Sequence, residues 1–179
     1  MKKRKRNPLA MRMIAIGLLV CAVSFFSSND NIAKEDLEES ARKTYQIGEN
    51  WQCAKQVDER MGALLFYDEN TQAHRFLLYL KNGGIKGGYQ LIKSDSSTYI
   101  ENGVEGYAFQ EKGMVLFSMN TEQVKEMYVT NQAGHTTIIP VDAWNPFALV
   151  IPAGAKDVVL YGREKQEIPI DNINVYEKK

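Results

Sequence analysis

Ala63-Leu-Leu-Phe-Tyr-Asp-Glu-Asn-Thr-Gln-Ala-His-Arg-Phe-Leu-Leu-Tyr-Leu-Lys81 decides the fold class. Two aromatic and aliphatic runs, Ala63 to Tyr67 and Arg75 to Lys81, flank the polar stretch Asp68 to Gln72, which has the length of a hairpin loop. In the second run Phe76, Leu78 and Leu80 fall on one face of an extended chain. The same grammar continues toward the C-terminus. Candidate strands occupy 88–93, 97–101, 104–110, 113–119, 124–130, 135–141, 146–151, 157–162 and 166–176. Ser94-Asp-Ser-Ser97, Asn102-Gly103, Gln132-Ala-Gly134, Asn145-Pro146 and Pro152-Ala-Gly154 punctuate them with turn chemistry. Asn120-Thr-Glu-Gln123 reads as a capped single helical turn. Short strands at regular spacing predict an all-β domain over 49–179, an antiparallel β-sandwich or a barrel-like form.

Upstream, the pattern turns helical. Asn29-Asp30-Asn31 offers N-cap residues, and Ile32 to Tyr45 lacks Gly and Pro. Glu38 with Arg42 and Glu39 with Lys43 have the i, i+4 spacing of favourable ion pairs. The apolar positions Ile32, Leu37, Ala41 and Tyr45 form only a narrow stripe. A short stalk helix over 29–48 is expected, read as a solvated spacer in preference to a partner helix.

Residues 1–28 form a third region. Lys2, Lys3, Arg4, Lys5, Arg6 and Arg12 precede or interrupt an apolar run in which Met13 to Phe26 carries no charge. Counted from Leu9, the run would span about 27 Å as a helix, close to a thin hydrocarbon core. The positive-inside rule then leaves the N-terminus cytoplasmic and the C-terminal domain outside. A retained signal anchor and a cleaved signal peptide, cut after Ala22-Val-Ser24, both fit. Leu18-Leu-Val-Cys21 also resembles a bacterial lipoprotein signal, with Val20 where Gly, Ala or Ser normally stands. The lipid bilayer is the expected partner of this segment.

Six of the 22 basic side chains lie in that first region, leaving 16 against all 22 acidic ones in the remainder. An acidic folded part repels phosphate backbones, so no nucleic-acid partner is expected. Hydrophobic residues at 44% and charged residues at 25% place the chain among globular rather than disordered sequences.

No motif assigns a catalytic, cofactor-binding or metal-binding residue, and no cofactor is implied. His74 and His135 stand outside any zinc or acyl-transfer signature. Cys53 is the one cysteine of the β domain, which excludes an internal disulfide there, and it reads as a small buried apolar residue. Asp58-Glu59 and Asp68-Glu69 read as solvated carboxylates. Asn82-Gly-Gly-Ile-Lys-Gly-Gly88 reads as hairpin or bulge geometry rather than an anion cradle. Tyr89, Tyr99, Tyr107 and Phe109 would make a glycan or peptide platform if exposed together, and at strand spacing they read as core.

Leu65-Phe-Tyr-Asp68, Ser118-Met-Asn120, Asn145-Pro-Phe-Ala-Leu-Val-Ile-Pro152 and Val158-Val-Leu-Tyr-Gly162 together resemble uncharacterised single-pass envelope proteins of Gram-positive bacteria with an immunoglobulin-like β domain. The resemblance spans about residues 57–170 and implies location and fold, with no activity attached. The expected function is a membrane-anchored extracytoplasmic binding or structural module of the cell envelope, with an envelope protein or glycan as partner. An envelope enzyme whose site is not recognisable from sequence, or a secreted β module released by signal cleavage, are the alternatives.

Overall fold

The computed structural model describes residues 31–83 and 87–176. The segment expected to target the membrane, Met1 to Ser28, lies outside the described residues. Among those described, no helix is long and apolar enough to cross a membrane.

The described chain is mostly β. Helix α1 (Leu37–Tyr45) precedes strands β1 (Gln52–Val57), β2 (Met61–Tyr67), β3 (His74–Lys81) and β4 (Tyr89–Asp95). The short helix α2 (Thr98–Asn102) leads into β5 (Glu105–Phe109), β6 (Gly113–Ser118), β7 (Val124–Asn131) and β8 (Thr136–Pro140). The chain continues through β9 (Phe147–Pro152), β10 (Ala155–Gly162), β11 (Glu167–Ile168) and β12 (Asn172–Tyr176). Three four-stranded sheets result: a first sheet β1-β2-β3-β4, a central sheet β12-β5-β6-β9 and a third sheet β11-β10-β7-β8.

Alternation along the strands stacks these sheets. Ala63 and Leu65 of β2, with Phe76 and Leu78 of β3, pack against Tyr107, Val115, Phe117 and Val150 of the central sheet. The opposite face of the same strands, Leu64, Phe66, Leu77 and Tyr79, is covered by Leu37 and Ala41 of α1. The central sheet turns Leu116, Phe147 and Ile151 toward Val124, Met127 and Leu160 of the third sheet. The layer order is therefore helix, sheet, sheet, sheet. Six consecutive residues of β2, Met61 to Phe66, are buried because both faces of their sheet are covered. Within the first core, Phe76 lies 5.1 Å from both the Tyr107 and the Phe117 rings, in tilted contacts.

The predicted hairpin is present: β2 and β3 pair antiparallel with Met61 opposite Leu80 and Tyr67 opposite His74. Several expectations need correction. The stretch 97–101 is helix α2 rather than a strand, because Ser97 caps it by accepting the Tyr99 N–H and Ile100 is drawn fully into the first core. The stretch 166–176 is broken into β11 and β12. Pro169 between them has no N–H to give a ladder, and the Asp171 carboxylate accepts the Val104 N–H at 2.9 Å. Asn120 to Gln123 forms a tight turn, not a helical one: Asn120 and Gln123 take φ of 58° and 56°, and the Gln123 N–H reaches the Asn120 carbonyl. β12 pairs parallel with β5, a departure from the otherwise antiparallel sheets that its long sequence separation permits.

Of the stalk expected over 29–48, only Leu37–Tyr45 is helical, Ile32 lies in a β-bridge instead of the helical stripe, and the helix is not a solvated spacer. Leu37 and Ala41 are each 1% exposed against the first sheet, so the sparse stripe is wide enough to dock one helix face. The Glu38–Arg42 pair forms at 3.0 Å, and Glu38 also meets Lys55 of β1 at 2.7 Å. Just upstream, Ile32 exchanges both backbone hydrogen bonds with Tyr89, which begins β4. Gly88 is required there, since a Cβ would stand 2.5 Å from the Asn31 carbonyl carbon.

Candidate functional site

The side chains singled out in the sequence are dispersed. His74 Nε2 lies 3.1 Å from both the N–H and the carbonyl oxygen of Ser97 and so braces the start of α2. His135 is exposed in the β7–β8 turn, where its N–H is accepted by the Asn131 side chain. Asp58 accepts the N–H groups of Arg60 and Met61, and Asp68 accepts that of Asn70, so both are turn-forming residues. Glu59 pairs with Lys81 at 2.8 Å on the surface. Among the described residues no group of three or more His, Cys, Asp or Glu side chains is placed to hold a metal ion.

Cys53 sits on β1 beside Glu38, Lys55 and Arg42, and burial first, then the Glu38 carboxylate, push its thiol up to about 12. That is the opposite of what an attacking thiolate needs. The four aromatics do not form a platform: Tyr89, Tyr107 and Phe109 are buried in two different cores, and Tyr99 alone is half exposed. In the glycine-rich stretch, Asn82 donates its N–H to Gly88 and its side-chain amide to Asn31, while residues 84–86 lie outside the described residues. The ends of the stretch thus serve to close a loop.

A cleft of about 750 Å³ lies elsewhere, between the loops that follow β8 and β10. Trp144 stands in it at 68% exposure, unusual for so large an apolar ring. The Arg163 guanidinium covers one face of the indole, 4.3 Å from its centroid. Lys125, Gln123, Glu164 and Gln166 complete the polar walls.

The loop carrying Trp144 is held from beneath. Asn120, 5% exposed, donates its side-chain amide to the carbonyls of Asp142 at 2.8 Å, Asn145 at 3.2 Å and Val124 at 3.3 Å. Its Oδ1 accepts the Val124 N–H at 2.7 Å. Asp142 adds a second brace, accepting the Trp144 N–H at 2.9 Å and the Asn145 amide at 2.8 Å. Those two donors, the backbone one first, hold the Asp142 carboxyl below the usual carboxylate range. Arg163 rides on a turn in which Gly162 and Gln166 share backbone hydrogen bonding and the Gln166 side chain accepts the Glu164 N–H. An exposed indole on a braced loop loses little freedom when a ligand stacks on it.

None of the residues weighed for a functional role in the sequence lines this cleft. Its signal lay in Asp142-Ala-Trp-Asn-Pro146, a tryptophan inside turn-forming residues between two strands. The bracing residue, Asn120, stands more than twenty positions away and carries no local sign of that role.

Comparison with protein-family models, curated proteins and solved structures found no match for this chain.

Proposed function

We propose that this chain is a noncatalytic binding module held at the cell envelope by its N-terminal segment, with the Trp144 cleft as its contact site. The observation that carries the reading is the pairing of an indole at 68% exposure with a loop fixed by a buried asparagine. The ligand fits the face and edge of an aromatic ring flanked by polar groups of both signs, as a glycan or a protein loop does. The basic start and apolar run of residues 1–28 support display on the extracytoplasmic side of a membrane.

The test uses the full chain carrying Trp51→Phe, so that Trp144 is the remaining tryptophan reporter. Solubilised envelope glycans and envelope proteins are titrated separately while indole emission is followed. A saturable change with one fraction is expected, and Trp144→Ala should weaken that binding, followed by retention on the immobilised chain, by roughly tenfold or more. Asn120→Ala should weaken it as well by releasing the loop. Absence of saturable change with both fractions, or undiminished retention by Trp144→Ala, overturns the proposal.

A further inference from the structure

We infer that Lys93 and Asn174 become joined by an amide bond between their side chains, with Glu105 as proton carrier, so that the last strand is tied covalently to the first sheet. The inference concerns the space between the first and central sheets and does not rest on the Trp144 cleft.

Sheet order brings the three groups together. The first sheet lies over the central one with β1 tied to β9, where Gln56 accepts the Val150 N–H, and with Phe76 of β3 against Tyr107 of β5 and Phe117 of β6. β4, the strand outside β3, therefore covers the side of β5 on which β12 lies. Lys93 of β4 pairs with Leu78, a residue of the first core, and points into the same layer. Its Nζ lies 5.3 Å from the centre of the Tyr107 ring and 5.8 Å from that of Phe76, and among the described residues it has no ion pair. Tyr107 is in turn paired with Asn174 of β12, one strand spacing of about 4.8 Å away. The flexible four-carbon stem of lysine lets the amine cover the few ångströms that remain.

Glu105, two residues before Tyr107 on the same face of β5, completes the set. It is 4% exposed, and its Oε1 accepts the amides of Asn174 at 2.8 Å and Asn172 at 3.0 Å. Its Oε2 is buried without a hydrogen-bond partner among the described residues. One carboxylate oxygen thus holds the nitrogen that must leave, and the other is open to the proton that the amine must lose. Passing a proton from an ammonium to a buried carboxylate removes both charges from a space of low dielectric and frees the amine as a nucleophile. The other titratable groups at this spot are the Tyr107 and Tyr176 hydroxyls and the exposed Asp95. Asn172 pairs with Glu105 rather than with Tyr107, which sets it a step further from Lys93 and leaves it to hold the carboxylate in place.

The step balances without a co-reactant. Glu105 takes a proton from Nζ, and the freed electron pair attacks Asn174 Cγ to form the new C–N bond. Protons pass from Nζ through Glu105 to Nδ2 as the Cγ–Nδ2 bond breaks. An alkylammonium and a primary amide become a secondary amide and an ammonium ion, with nothing oxidised or reduced.

The test is made on the full chain, denatured and digested with trypsin. A linked Lys93 blocks cleavage, so residues 87–112 and 166–178 are expected as one species, lighter than their sum by about 17 Da, the mass of ammonia. Fragmentation should place the link at Lys93 and Asn174. Lys93→Arg and Asn174→Ala should each abolish it. Glu105→Gln, which keeps a carbonyl facing both amides, should lower the linked yield about tenfold or more at a fixed time. Recovery of 87–93 and 166–178 as separate peptides from the parent chain overturns the inference. Linkage at Asn172, or linkage in Glu105→Gln at the parent's yield, overturns it as well. The first reading is taken on the parent chain, so the inference can fail without any variant having to fold.

Discussion

Individual side chains in this fold are used mainly to brace loops and fill cores, and Cys53 shows how environment decides a residue's chemistry. Its thiol is displaced from an ordinary value near 9.0 to about 12, with burial the leading cause. At pH 8 alkylation by iodoacetamide should therefore run about a thousandfold slower than for an ordinary free thiol, unless the protein is denatured first. Labelling of Cys53 at an ordinary rate in a folded chain carrying Cys21→Ser would contradict this. The sign for stability follows: the folded thiol holds its proton more tightly than the unfolded one, so this contribution is complete below about pH 9 and is lost as pH climbs toward 12. The sequence reading of Cys53 as a buried apolar residue holds only in part, since the side chain is half-buried against the core beneath α1. Trp144 was not legible in the same way, since exposure of an indole depends on where Asn120 places its loop, and that contact joins residues distant in the chain.

At the scale of elements, α1 is the part whose role changed most between sequence and structure. Its stripe was legible, but what the stripe meets was not, because the outer face of the first sheet exists only after β2 and β3 pair. Leu37→Ala should lower unfolding free energy by about 2–5 kcal/mol in urea titration, the usual cost of a truncated core leucine. A loss below about 0.5 kcal/mol would return the helix to the status of a spacer. Glu38 adds a pH-dependent clasp: the Lys55 hydrogen bond, its largest influence, holds the carboxyl below its ordinary value. That contribution is present above about pH 4.5 and disappears as pH falls. Glu38→Gln should flatten this part of the acid profile at a cost of no more than about 1 kcal/mol, since the pair is partly solvated. Strand positions were readable where alternation or apolar runs were strong. β1 was not among the strands assigned, since Gln-Cys-Ala-Lys-Gln-Val offers little apolar signal and is placed by pairing with β2. In α2 the local β preference of Thr98, Tyr99 and Ile100 yielded to the Ser97 cap.

For the whole molecule, the central sheet is the common wall of two cores. Phe117 belongs to one and its neighbour Leu116 to the other, both fully buried. Phe117→Ala should cost about 3–5 kcal/mol and Leu116→Ala about 2–5 kcal/mol, and each should move a single unfolding transition seen alike by far-UV circular dichroism and, in a Trp144→Phe background, by Trp51 fluorescence. Separate transitions in either variant would mean that the third sheet melts independently of the first two. The sequence predicted β layers without their number, because a strand buried on both faces shows an apolar run that does not say what covers it. The same central sheet also constrains the order of assembly. Its strands come from residues 105–109, 113–118, 147–152 and 172–176, so the sheet is complete only when a distant segment returns. During synthesis Glu105 emerges long before Asn172 and Asn174, and its carboxylate lacks both amide donors until Asn172 is made and the second until Asn174 follows. A growing chain thus passes through a state in which this acid is still hydrated and β5 is the outermost strand of its sheet, and the return of 172–176 covers both.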